Sequence, residues 1–187
     1  MIHLTKKDRD FETLSFAASG RETSKTEKRQ HVTHVFLKDG LAYGCDGKWL
    51  FVGETSRKET GWFQVLKDTK TELVMVPVPA DSDFNIEMIE DNCLTGVDKP
   101  TPKTRRHKFS MSLPEPAFST SARGKLESSI CCYKLAKADR CVDIDRLSAL
   151  FSREQNFSVF IPDGPGPVLF WNRNKRAYIM PIDTNGE

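Results

Sequence analysis

Apolar and polar residues alternate in short blocks along this chain, and Asp-Gly pairs divide its most regular part. The segment 32–53 contains three apolar runs, which Asp39-Gly40 and Asp46-Gly47 separate from one another. Asp-Gly suits a tight hairpin turn, because glycine adopts a positive φ without strain and aspartate tolerates it. The pattern therefore predicts a meander of three short antiparallel strands in this segment.

Helical periodicity precedes the meander. Leu4, Phe11, Leu14 and Ala18 fall on one face at helical spacing, so the pattern predicts a short helix over residues 4–18. Charged residues lie between these apolar positions. They predict that the outer face is solvated, as on an ordinary amphipathic helix.

A polar and basic stretch at residues 19–31 separates this helix from the meander and predicts a loop. Its Lys25, Lys28 and Arg29 side chains suit contact with the phosphates of DNA. The alternative is a basic loop that is only solvated, which is the commoner role of such a stretch.

Apolar runs at residues 62–66 and 73–78 predict two more strands after the meander. The composition then changes at 80–117, where an acidic stretch is followed by basic residues and prolines. We expect this segment to be a linker or an inserted arm. It also has the period-two alternation of a strand at 108–113.

The C-terminal residues repeat the plan of the first part. The pattern predicts a strand at 129–135, a helix at 144–153 and further strands at 157–161, 168–171 and 177–182. Each half thus combines a helix with a meander of short strands. Two similar helix-plus-meander halves predict an α+β fold, in which antiparallel sheets of short strands carry helices on one face.

Length and charge limit the class of protein. The chain of 187 residues can bury a core, and we expect one domain, 1–187, with two lobes at about 1–79 and 118–183 around the 80–117 insert. Its 28 Lys and Arg against 26 Asp and Glu give a net charge of +2, which does not by itself indicate nucleic acid. No apolar run reaches the length of a membrane span and no signal peptide begins the chain, so we expect a cytoplasmic protein that does not engage membranes.

The sequence shows no set of residues with catalytic or metal-binding spacing. Its five cysteines include no C-x-x-C pair, which argues against a zinc site or a disulfide framework. His31 and His34 are an odd number of residues apart, so on one strand they would face opposite ways and could not share a metal ion. No P-loop, G-x-S-x-G or H-E-x-x-H motif occurs. We therefore expect no enzymatic activity, no metal and no cofactor.

Several motifs resemble a known family. Residues 44–52, Gly-Cys-Asp-Gly-Lys-Trp-Leu-Phe-Val, resemble the A-T-D-G-H-R-L-A-V segment of bacterial DNA polymerase III β subunits, the sliding clamps. Residues 141–150 resemble the strand that enters a helix near the end of such a clamp. Residues 166–169 and 178–182 resemble the turn and the Met-Pro strand that follow.

The resemblance implies a DNA-clamp-like fold and a processivity or tethering function in DNA replication. Such a protein binds double-stranded DNA non-specifically and engages replication proteins through a short peptide motif. A chain this short would encircle DNA as a homo-oligomer. Phosphate contact would depend on Lys and Arg through salt-sensitive electrostatics. The predicted DNA-binding residues are Lys6, Arg9, Lys25, Lys28, Arg29, Arg105, Arg106, Lys108, Arg146 and Arg153.

The resemblance also implies a hydrophobic pocket for partner peptides, to which both matching segments contribute. Its predicted residues are Cys45, Gly47, Lys48, Trp49, Leu50, Tyr178, Ile179, Met180, Pro181 and Ile182. The alternative is that Leu50 and Met180 belong to the core and Trp49 is a half-buried strand residue. The alternative function is a protein-interaction module that keeps the clamp fold without encircling DNA.

Overall fold

The structure is a computed structural model, and it describes most of the first half of the chain and part of the second. The described residues are 1–80, 157–161 and 166–181, the strand backbones at 105–108, 117–118, 131–134 and 141–143, and the positions of Val142, Leu147 and Leu150. The helices whose two ends are described are α1 (Phe11–Ser19) and α2 (Gln30–Thr33).

Thirteen strands accompany these helices. In the first half they are β1 (Ile2–Thr5), β2 (Val35–Lys38), β3 (Leu41–Cys45), β4 (Trp49–Glu54), β5 (Gly61–Asp68) and β6 (Glu72–Val78). The remaining strands are β7 (Arg105–Lys108), β8 (Ala117–Phe118), β9 (Cys131–Lys134), β10 (Cys141–Asp143), β11 (Ser158–Ile161), β12 (Val168–Asn172) and β13 (Lys175–Ile179).

One large sheet runs through both halves of the chain. Its ten strands follow the order β1-β6-β5-β2-β3-β4-β13-β12-β11-β7, and β10, β9 and β8 form a smaller sheet. All of the pairings are antiparallel, and the large sheet is open, with β1 and β7 at its edges. The halves join where β4 pairs with β13, with Phe51 opposite Ala177. This mostly antiparallel sheet with few helices confirms the predicted fold class.

The predicted meander is confirmed as β2, β3 and β4. Lys38 pairs with Leu41 across the first turn, where Asp39 has φ 51° and Gly40 has φ 80°. Positive φ at both central residues is the geometry of a type I′ hairpin, for which Asp-Gly is well suited. The predicted strands at 62–66 and 73–78 form as β5 and β6 and are longer than expected.

The predicted helix over residues 4–18 begins too early. Ile2 and Leu4 are buried while His3 and Thr5 are exposed, and this alternation places Ile2–Thr5 in a strand against β6. A turn follows, in which the Asp8 carboxylate accepts hydrogen bonds from the backbone N–H and the hydroxyl of Thr5 at 2.7 and 2.8 Å. The helix therefore begins only at Phe11.

Other predictions fall partly outside the described residues. A strand forms at Arg105–Lys108 and shares only Lys108 with the predicted 108–113 segment, of which residues 109–113 are not described. Of the helix predicted at 144–153, the structure describes only Leu147 and Leu150, which are helical and fully buried.

The side chains of the large sheet alternate between two faces. On the α1 side, two buried clusters meet at the helix. One contains Phe16, Phe51, Phe170 and Ile179 with Leu147 and Leu150, and the other contains Leu14, Ala17, Leu37, Leu73 and Met75. A third buried cluster occupies the opposite face and contains Phe36, Tyr43, Leu50, Trp62 and Tyr178. Helix α1 thus contributes to both cores of its own face, and Phe16 stacks on Phe51 with ring centroids 4.8 Å apart.

Helix α1 lies directly on the backbone of two strands because glycines occupy the crossing points. A Cβ atom on Gly44 of β3 would lie 1.9 Å from the carbonyl oxygen of Ala17, and one on Gly53 of β4 would lie 2.2 Å from that of Thr13. Neither distance can accommodate a carbon atom, so both positions require glycine for the helix to keep its place.

We expect Gly44→Ala to destabilise the fold by about 3 kcal/mol or more, because the added methyl group must push α1 off the sheet. Gly47→Ala is the comparison. At Gly47 the nearest atom to an added Cβ is 4.0 Å away, so only the strain at its φ of 90° remains, about 1–2 kcal/mol. Urea unfolding measures both, and equal losses would contradict the role assigned to Gly44.

Candidate functional site

The two segments predicted to form a partner pocket lie side by side within one chain. Strand β4 pairs with β13, which places Leu50 opposite Tyr178 and Trp49 opposite Ile179. The pairing continues past the end of the strand, where the N–H of Met180 donates to the carbonyl oxygen of Lys48 at 3.0 Å. No second subunit is needed to bring the segments together.

The turn between β3 and β4 has a shape fixed by its own residues. The Asp46 carboxylate accepts hydrogen bonds from the N–H groups of Lys48 and Trp49 at 2.8 and 2.9 Å. The N–H of Gly47 donates to the sulfur of Cys45 at 3.2 Å, and Gly47 has φ 90°. A side-chain oxygen that caps two backbone donors stabilises the turn from within.

The predicted pocket residues divide by exposure. Cys45, Leu50, Tyr178 and Ile179 are buried, Trp49 and Pro181 are half-buried, and Gly47, Lys48 and Met180 are exposed. Ile182 lies outside the described residues. The core alternative thus holds for Leu50 and fails for Met180, whose exposed fraction is 51%. The accessible part of this end of the sheet is the Gly47-Lys48 turn with Met180 beside it.

Trp49 joins this turn to the residue that follows α1. Its indole N–H donates to the carbonyl oxygen of Gly20 at 2.7 Å, and its ring centroid lies 4.8 Å from that of Phe51. The side chain is therefore directed toward the α1 side of the sheet. It is a half-buried strand residue, as the alternative expected.

The predicted basic loop adjoins the same turn. Helix α2 packs against β3, and a Val32 methyl group lies 4.0 Å from where a Cβ atom on Gly47 would be. The loop is closed by the N–H of Glu22, which donates to the carbonyl oxygen of Val32 at 2.6 Å. The sequence analysis predicted the basic loop and the partner pocket as separate sites, because contacts between segments that are distant in sequence produce no local sequence pattern.

The cations of this loop differ in their surroundings. Lys25 and Lys28 are exposed, and neither makes an ion pair within the described part of the chain. The Arg29 guanidinium, in contrast, binds the Glu27 carboxylate in two places, with Nε 2.9 Å from one oxygen and a terminal nitrogen 2.7 Å from the other. Hydrogen bonds from the side chain and backbone of Arg29 lower the pKa of Glu27 to about 2.

The other predicted DNA-binding residues lie apart from this loop. Lys6 and Arg9 are exposed but precede α1, which contains neither Lys nor Arg, so the expectation that they lie on a helix is wrong. Arg105, Arg106 and Lys108 belong to the edge strand β7, of which only the backbone is described. Arg146 and Arg153 lie outside the described residues.

Two histidines lie at α2, His31 within the helix and His34 directly after it. Burial lowers the pKa of His31, and the neighbouring Arg29 lowers it further. Burial also lowers the pKa of His34, with Arg21 adding to the shift. Both rings therefore favour the neutral form at pH 7. Within residues 1–80, 157–161 and 166–181, no group of three or more His, Cys, Asp and Glu side chains is arranged to hold a metal.

Solved structures of bacterial DNA polymerase III beta subunits share the fold of this chain. The DNA polymerase III beta subunit of Thermotoga maritima aligns with a TM-score of 0.56 and 11% identity over 98% of this chain and 64% of its own. A structure from Eubacterium rectale assigned to the same subunit gives a TM-score of 0.52 and 10% identity over 99% and 66% of the two chains. At this identity the likeness shows the fold alone, and this chain spans just under two thirds of those proteins.

Neither the sequence models of known protein families nor the sequences of curated proteins match this chain. Among the helices that the structure describes, none has the length and hydrophobicity needed to cross a membrane.

We expect Trp49→Phe to lower the free energy of unfolding by about 1–3 kcal/mol, because the buried carbonyl oxygen of Gly20 loses its donor. Trp171→Phe is the matched control. Its indole N–H also donates to a carbonyl, that of Arg173 at 3.0 Å, but at an exposed hairpin where water replaces it. Chemical denaturation compares the two variants, and equal losses would show that the Gly20 contact has no special weight.

Stability is expected to fall as the pH drops from about 7 to 5.5. The folded state lowers the pKa of His31 and His34 below the ordinary histidine pKa of about 6.5. The unfolded chain therefore binds more protons in this range, and acid favours it. A His31→Gln/His34→Gln variant should show a smaller decrease in Tm. His3→Gln is the control, because His3 bonds Glu72 at the surface. An unchanged pH profile in the double variant would contradict the assignment.

Proposed function

We propose that this chain is a sliding-clamp-like processivity or tethering factor for DNA replication. The observation that carries the proposal is the fold, which aligns with bacterial clamp structures over 98% of the chain at a TM-score of 0.56. A clamp acts by topology and charge and makes or breaks no bond, which agrees with a sequence that lacks catalytic motifs. The proposal therefore needs a closed assembly, a surface for DNA and a surface for partners.

The assembly is proposed to be a homo-oligomer. The large sheet is open, with β1 at one edge and β7 at the other, and the chain spans only 64% of the Thermotoga maritima clamp chain. An open sheet edge carries unpaired backbone donors and acceptors that a further strand can use. Several copies would together provide the circumference that one copy lacks.

The proposed DNA surface is formed by loops rather than by α1. The exposed cations Lys25 and Lys28 lie in the loop before α2, and Lys6 and Arg9 lie in the turn before α1. Helix α1 is almost entirely buried and carries one charged residue, Glu12. Cations in loops attract phosphates without reading bases, which is the non-specific binding that a tether requires.

The proposed partner surface is the exposed end of the β4–β13 seam. Lys48 and Met180 are joined there by a backbone hydrogen bond, and both side chains are exposed. An unbranched methionine adapts to varied apolar ligands, and the adjacent lysine suits an acidic residue in the same peptide. Replication proteins that carry a short apolar motif are the partners this surface would engage.

A protein-interaction module that does not encircle DNA is the second candidate. It is favoured by the lack of cations on α1 and by the exposed Met180, neither of which depends on a ring. The two candidates share the partner surface and differ in the need for DNA.

Two measurements together test the ring: mass in solution and retention on circular against linearised DNA of the same sequence. We expect an oligomer that stays on circular DNA and is lost from linear DNA, because a ring slides off free ends. A monomer that leaves both DNAs at the same rate would exclude the ring and favour the interaction module. DNA affinity should also fall as salt rises, and a salt-independent affinity would contradict phosphate contact.

A further inference from the structure

Glu27 fills an anion position inside the basic loop. One carboxylate oxygen accepts hydrogen bonds from the backbone N–H groups of Lys28 and Arg29 at 3.0 and 2.9 Å. The Arg29 guanidinium donates to both oxygens, at 2.9 and 2.7 Å. Four donors therefore converge on one carboxylate, and it belongs to the chain itself.

We propose that this position is a phosphate site, which Glu27 occupies in the free protein and a DNA backbone phosphate occupies in the complex. An Arg guanidinium pairs with carboxylate and phosphate through the same two-point geometry. Two neighbouring backbone N–H groups add the kind of donors that bind anions in loops. Glu27 thus acts as an internal competitor that masks Arg29 until a phosphate replaces it.

The surroundings allow the exchange. The Arg29 side chain is 61% exposed, so a ligand reaches the guanidinium without any rearrangement of the core. Lys28 and Lys25 are exposed nearby in sequence and add positive charge around the same loop. A surface ion pair such as that between Glu27 and Arg29 is weak, so a phosphate with several cations around it can displace the carboxylate.

Glu22 provides a contrast within the same loop. Its carboxylate also accepts two backbone hydrogen bonds, from the N–H groups of Thr23 and Ser24, both at 2.8 Å. The hydrogen bonds that the structure gives this carboxylate include none from a guanidinium. Removing the charge of Glu22 changes the net charge of the loop as much as removing that of Glu27, but it releases no arginine.

The inference rests on the proposed function, since it takes the phosphate from duplex DNA. We expect Glu27→Gln to bind a short duplex about two to five times more tightly, which is the factor that a surface ion pair represents. The slope of log affinity against log salt should be similar in the two proteins, because the wild type makes the same phosphate contact once Glu27 is displaced. Glu22→Gln should show a smaller gain. Fluorescence anisotropy across a salt series measures all three proteins.

A double-variant cycle identifies Arg29 as the released group. In an Arg29→Gln background, Glu27→Gln should give no more gain than Glu22→Gln gives in the wild-type background. Arg29→Gln alone should weaken binding, because the exchange then has no guanidinium to use. Equal gains from Glu27→Gln and Glu22→Gln, or a gain that persists without Arg29, would overturn the proposal and leave only a net-charge effect. Melting temperatures confirm that each variant is folded.

Inorganic phosphate separates this inference from the proposed function. Titration at constant ionic strength should shift the amide NMR signals of Lys28 and Arg29 in Glu27→Gln more than in the wild type. If these signals shift while neither protein binds DNA, the phosphate site stands and the DNA-clamp proposal fails. If DNA binds and neither the signals nor the affinity respond to Glu27→Gln, the inference fails and the clamp proposal stands.

Discussion

The close approach of one helix to the sheet is the constraint on which this structure depends. Helix α1 rests on the backbone of β3 and β4, and Gly44 and Gly53 are the positions that allow it. That approach lets Phe16 reach one core while Leu14 and Ala17 fill the other. A side chain at either glycine would push α1 away from the sheet and disrupt both cores at once, because the same short helix covers both.

The antiparallel seam between β4 and β13 gives the fold its continuity. It places the last described strand of the chain against the third strand of the meander, so the two halves share one sheet and one face of core residues. The same seam brings the motif around Asp46 next to Met180. Proximity of these two segments is thus a direct result of the strand order and needs no special contact between their side chains.

Much of the fold could be predicted from local sequence patterns, and each wrong or missing prediction has a physical reason. The meander was predictable because Asp39-Gly40 has the backbone preference of its turn. The helix start was wrong because Leu4 obeys both a helical and an alternating pattern, and only pairing with β6 selects the strand. The pairing of Glu27 with Arg29 also escaped prediction, because both residues lie in a predicted loop, where sequence spacing does not determine which side chains meet.

Glu54 and Arg176 illustrate what the seam means for the intervening chain. Their side chains meet at 3.2 Å across the seam although 122 positions separate them in sequence. The entropy lost in closing such a loop grows only with the logarithm of its length, so doubling the intervening segment would cost about 0.6 kcal/mol. The register of two strands, and not the length of chain between them, therefore determines whether the halves unite. Insertions and deletions between the halves therefore cost this fold little free energy. A one-residue shift in the register of β13, in contrast, would turn its buried side chains to the wrong face of the sheet.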